Sequence, residues 1–148
     1  MSTAKAYLRS IRQEQKEIRL LREKWYSLKM ECYPPALRYD VDHVQTTPED
    51  KLSKAIAEMT ETEDAIIRHC EKLDRHKCDA MEMISLLSKP NHRMVLELYY
   101  LSIKKNRKLY TWSDIAKAMD YSVDNIWKIH GHALKEFEKI FKKFQNNA

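Results

Sequence analysis

Apolar positions recur every three or four residues through the first part of the chain. Tyr7, Ile11, Glu14, Ile18, Leu21, Trp25, Leu28 and Cys32 keep a 4-3-4-3 spacing, and seven of these eight are apolar. That period places them along one stripe of a helix from about Thr3 to Cys32. Tyr33-Pro34-Pro35 should end it, because proline cannot donate to the helical ladder and disfavours helix in the residue before it. Residues 33–47, which include Asp40, Asp42 and His43, form a connector without a clear period.

A second helix has a well-marked start. Thr47 is placed as N-cap, Pro48 at the first helical position, and Glu49 and Asp50 at the positive end of the dipole. From there Leu52, Ile56, Met59, Glu63, Ile66, Cys70, Leu73, Lys77, Ala80, Ile84 and Leu87 keep the heptad spacing, with nine of the eleven apolar. Such a helix would be about 60 Å long. A seam sustained over so many heptads argues for a coiled coil. With the connector between them, the two helices suit an antiparallel hairpin. The first is the shorter, so part of the second helix's seam (Leu52, Ile56, Met59, Ile66, Cys70, Leu73 and Ile84) should be covered by another copy of the chain. A homo-oligomer, dimeric or higher, is expected.

Ser88-Lys89-Pro90-Asn91 breaks the pattern. Beyond it the spacing predicts a short helix carrying Val95, Leu98, Tyr99 and Leu101, and then a basic loop, Lys104-Lys105-Asn106-Arg107-Lys108. Two more helices follow, from about Thr111 to Met119 and from about Ser122 to Lys143. The expected fold is all-α, a helical hairpin over residues 1–87 followed by a three-helix module over 88–148.

Composition supports helices. One glycine and four prolines in 148 residues leave little material for a turn-rich β architecture. No apolar run approaches the ~20 residues that span a bilayer, and the N-terminus lacks a signal-peptide core, so a cytoplasmic chain without membrane contact is expected. Cys32, Cys70 and Cys78 form no CxxC pair and cannot all pair with one another. His69, Cys70, His76 and Cys78 suggest zinc, but on one helix their side chains diverge, so neither a metal nor a cofactor is expected. No phosphate loop or nucleophile elbow is present, and no enzyme is indicated.

Charge separates the two parts. Residues 1–87 hold 15 Lys/Arg against 16 Asp/Glu, whereas residues 88–148 hold 12 against 6. The positive excess therefore lies wholly in the C-terminal segment, which points to a polyanionic partner there.

Within that segment the pattern fits a helix-turn-helix. Ala116 supplies a small residue where two helices cross, flanked by Ile115 and Met119. Asp120 stands where a residue tolerant of positive φ is needed, and Ser122 is placed to cap the next helix. Ile126, Ile129, Ala133, Leu134 and Phe137 make that helix's inner stripe. Ser122, Asp124, Asn125, Trp127, Lys128 and His132, with Gly131, are left to face a DNA groove. Asn125 is suited to adenine and Lys128 to guanine or phosphate. Lys104, Lys105, Arg107, Lys108 and Lys117 would hold phosphates. Trp112 is expected in the module's core, Trp127 at its surface, and His130 at the surface or against DNA.

TWSDIAKAMDYSVDNIWKIHGHALKEF resembles the fourth region of sigma factors, and NHRMVLELYYL resembles the helix that precedes it there. With VQTTPEDKLSKAIAEM and KIHGHALKEFEK, the chain is similar to small phage and prophage late-gene transcription regulators of the ArpU and RinA kind. The resemblance implies a sequence-specific activator in a bacterial host cell that touches duplex DNA and, through the sigma-like module, RNA polymerase. Two other readings stay open. One is a polymerase-binding factor with DNA contact secondary. The other is a DNA-packaging protein like a small terminase subunit, although there the module usually precedes the oligomerising helices.

Overall fold

The structure, a computed structural model, describes residues 3–32 and 48–147. These form five α-helices and no β-strand: α1 (Thr3–Glu31), α2 (Pro48–Ser85), α3 (Pro90–Leu96), α4 (Trp112–Met119) and α5 (Val123–Asn146), with a π-helical turn, Glu97–Leu101, continuing α3. The stop at Tyr33-Pro34-Pro35, the connector and the cap at Thr47 lie outside the described residues. Among the described residues no helix is long and apolar enough to cross a membrane.

The chain divides into two compact units, Glu17–Glu71 on one hand and Met1–Lys16 with Lys72–Ala148 on the other. In the first unit α1 and α2 run antiparallel. Glu17 lies 3.9 Å from His69, Trp25 Nε1 donates to Glu63 Oε1 at 2.8 Å, and Cys32 Sγ lies 3.6 Å from Met59 Sδ. The partner's number falls as the residue number rises. Ile18, Leu28, Ala55 and Thr62 are buried there. Thr62 satisfies its hydroxyl by donating to the Glu58 carbonyl at 2.7 Å, which lets a polar residue occupy an inner position.

Ala55 and Thr62 lie off the seam read from the heptads, and their burial shows α2 rotated about its axis relative to that seam. Leu52 and Ile56 consequently remain 42% and 52% exposed, and Met59, Ile66 and Cys70 are half-buried. Leu73 and Ile84, also assigned to the seam, are closed off within the second unit of the same chain.

The second unit is built around α5, which buries Ile126, Ala133, Phe137 and Phe141. Val95 and Leu96 of α3, Ile115 and Ala116 of α4, and Tyr100 and Leu101 of the π-helical turn close over it. Val95, Ile115, Ala116 and Ile126 form one apolar cluster, bordered by Leu98, Trp112, Met119 and Ile129. The end of α2 contributes Ala80, Met83, Ile84 and Leu87, and the start of α1 contributes Ala4, Leu8 and Ile11.

Polar contacts fix the joints. Ser88 N–H donates to Glu136 Oε1 at 2.8 Å, and His92 Nδ1 lies 3.2 Å from Glu136 Oε2, so one carboxylate of α5 holds the break between α2 and α3. These contacts, with the Ser88 backbone donor first, pull the Glu136 pKa below the usual carboxylate value. The helical stretch ends at Leu101, which leaves the Tyr99 and Tyr100 carbonyls to be used by α1. Arg12 donates to the first and Gln15 Nε2 to the second, at 2.7 Å, and the Arg12 guanidinium also lies over the Tyr99 ring.

Candidate nucleic-acid interface

The segment between the π-helical turn and α4 is a tight hairpin. Ile103 and Leu109 form an antiparallel bridge, Lys104 N–H donates to the Lys108 carbonyl at 2.9 Å, and Arg107 N–H donates back to the Lys104 carbonyl at 2.9 Å. Arg107 takes a left-handed conformation (φ 66°), supported by Asn106 Oδ1 accepting from Lys108 N–H at 3.0 Å. The tip therefore exposes Lys105, Asn106, Arg107 and Lys108 on a turn with a defined backbone.

Lys104 departs from the role read from the sequence. Its Nζ lies 2.9 Å from Asp114 Oδ2, with only 26% of its side chain exposed, so it ties the hairpin to α4 rather than presenting a free cation. Asp114 is also half of a capping box. Thr111 Oγ1 accepts from Asp114 N–H at 3.2 Å, while Asp114 Oδ2 accepts from Thr111 N–H at 2.9 Å. The Thr111 backbone bond first, and Lys104 next, hold the Asp114 pKa down at about 2.

The connection from α4 to α5 is equally determined. Asp120 adopts the left-handed conformation (φ 58°, ψ 45°). Tyr121 N–H reaches the Ala116 carbonyl at 2.9 Å and Asp120 N–H the Lys117 carbonyl at 3.4 Å, the paired bonds of a Schellman turn. Ser122 then caps α5, its Oγ accepting from Asn125 N–H at 3.2 Å. Ala116, 6% exposed, packs in the cluster with Ile115 and Ile126. The small side chain lets the two helices cross.

This turn sets which side chains α5 shows to solvent. Asp124, Trp127, Lys128, Gly131 and His132 are exposed, Asn125 is half-buried, and Ser122 is exposed although its hydroxyl serves as the cap. Lys117 is exposed on α4. Trp112 lies inward, stacked on Tyr99 with ring centroids 3.9 Å apart and planes 10° apart. Trp127 remains 53% exposed.

His130 does not lie at the surface. It falls four residues after Ile126 and so turns toward the inner stripe, where its ring stacks on Tyr100 and its Nε2 lies 2.8 Å from the Tyr100 hydroxyl. Burial first, then the positive charges of Lys5 and Arg9, bring its pKa down to about 4. Burial likewise raises the Tyr100 phenol. His130 is a neutral packing residue on the back of the exposed face.

The bracing of this unit by Leu8, Ile11, Arg12 and Gln15 has no counterpart in the sequence reading, which assigned α1 wholly to the hairpin. The one legible sign is that Ala4, Leu8, Ile11 and Gln15 share a helical face, which overlaps the first stripe at Ile11. Searches of protein-family models, curated proteins and solved structures found no match to the chain.

Proposed function

We propose that the protein binds duplex DNA at a specific sequence and regulates transcription from it. The observation that carries this reading is the α4–turn–α5 arrangement. A Schellman turn at Asp120, a small residue at the crossing and a capped second helix present Asp124, Trp127, Lys128 and His132 to solvent, on the segment that holds the chain's whole positive excess. In this reading the pair is a helix-turn-helix whose second helix, α5, enters the major groove by its first two turns. Lys128 and Asn125 read base edges, while Lys105, Arg107, Lys108 and Lys117 hold phosphates. Ser122 orients the helix through its cap, and Lys104 acts by holding the hairpin in place.

The resemblance to phage late-gene regulators supports activation as the outcome, with RNA polymerase as a second partner. Exposed Trp127 and Tyr121, 53% and 39% accessible, favour a protein contact beside the DNA contact. Exposed Leu52 and Ile56 on α2 favour self-association, which would place two reading heads on one site.

Selection of the full chain against a randomised duplex pool tests the reading. A single enriched motif bound with a Kd in about the nanomolar range is expected, with Lys128→Ala weakening it about 10- to 100-fold and more than it weakens random duplex. Enrichment of no motif, with equal affinity for all duplexes, refutes sequence-specific regulation.

A further inference from the structure

Beyond its first two turns α5 continues to Asn146, and its outer face changes character. Lys128, Gly131, Lys135, Lys139 and Lys142 are all exposed. At 3.6 residues per turn they fall within about 80° of one another, on one stripe.

Negative charge is largely withdrawn from this stretch. Glu136 is turned onto Ser88 and His92, and Glu138 lies 3.8 Å from Lys142. Asp124 stands at the N-terminal end of the same face. Among the described residues no ion pair engages Lys128, Lys135 or Lys139.

Gly131 is a second, independent sign. A glycine inside a helix costs about 1 kcal/mol relative to alanine, and it is the chain's only one. Nothing in the fold requires it, since a Cβ placed there would meet no atom within 4 Å. What glycine leaves on this face is room for another molecule to approach the helix backbone.

We infer that the outer face of α5 from Gly131 to Lys142, beyond the base-reading Lys128, seats a phosphate ridge of duplex DNA, which passes closest to the helix at Gly131 and is gripped beyond it by Lys135, Lys139 and Lys142. The inference rests on the DNA-binding reading above and extends its footprint. The length of the face supports it. Lys128 to Lys142 spans about 21 Å, whereas the major groove is about 12 Å wide. A helix that crosses the groove near Lys128 is thus longer than the groove is wide, which brings its C-terminal half within reach of the phosphates of the groove wall.

The test compares the full chain with two variants and a control, by fluorescence anisotropy on a random-sequence 30-base-pair duplex across a salt series. The triple variant Lys135→Gln/Lys139→Gln/Lys142→Gln should lower the slope of log affinity against log salt by about three and weaken binding at least tenfold in low salt. Gly131→Gln should raise the thermal midpoint, because glutamine is the better helix former, yet weaken binding about tenfold with little change in slope. The control Lys51→Gln/Lys54→Gln/Lys72→Gln removes the same charge from exposed positions of α2 and should leave the slope nearly unchanged.

If the unaltered chain binds no duplex, the DNA-binding reading fails and this inference fails with it. If the unaltered chain binds, either of two results overturns the inference alone: an unchanged slope in the α5 triple variant, or an equal loss in the α2 control. Gly131→Gln binding as tightly as the unaltered chain overturns the close approach at Gly131.

Discussion

Acidification should loosen the C-terminal unit through His130 before most of its carboxylates titrate. In the fold His130 is held neutral, its pKa lowered from 6.5 to about 4 by burial first and by the charges of Lys5 and Arg9 next. The unfolded chain binds that proton more readily. The stability contributed by the neutral imidazole is thus fully present above pH 6.5 and is lost as pH falls through 6.5 toward 4. A drop of that size corresponds to about 3 kcal/mol for a group wholly removed from water. The ring is only partly buried, and solvent screening reduces the figure to about 1–2 kcal/mol. The assay is urea denaturation at intervals from pH 7.5 to 4, with His130→Phe beside the unaltered chain. The variant loses the bond to Tyr100 at every pH, so its curve starts lower. The difference between the two chains should shrink by about 1–2 kcal/mol on acidification. A difference that stays constant from pH 7.5 to 4 would refute the assignment of a depressed pKa to His130, as would an NMR titration placing its midpoint near 6.5.

The turn and the exposed seam offer three further checks. Ala116→Leu should overpack the crossing of α4 and α5 and lower stability by about 1–3 kcal/mol, read as a fall in the thermal midpoint. Asp120→Gly should raise stability by several tenths of a kcal/mol, because glycine adopts φ 58° without a Cβ penalty, whereas Asp120→Val should lower it by about 1–2 kcal/mol. Leu52→Lys with Ile56→Lys should dissociate any self-assembly in sedimentation velocity while preserving the helical circular dichroism of the chain.

Local chemistry made much of the fold legible. The heptad period marked α1 and α2, and the Ser88-Lys89-Pro90-Asn91 break marked the end of α2. Asp120 and Ser122 act on backbone groups within a few residues of themselves, so their roles as turn residue and cap can be read along the chain. The uneven distribution of charge is likewise a property of the sequence alone.

What the tertiary structure decided involves partners far apart in the chain, or the rotation of a helix about its own axis. The heptad pattern identifies an apolar seam on α2. It does not show that Ala55 and Thr62 are buried while Leu52 and Ile56 face outward, because that rotation is set by packing and not by the period. Nothing local to Arg12 or Gln15 reveals that they bond the carbonyls of Tyr99 and Tyr100, which are left over where the π-helical turn ends at Leu101. His130 reads as polar and exposed until Tyr100 and Trp112 close around it. Lys104 reads as one more cation of a basic loop until the hairpin brings it to Asp114. Periodicity, caps and charge balance are set by neighbours in the chain and survive without a fold, whereas burial, ion pairing and the orientation of a helix face require the packed chain.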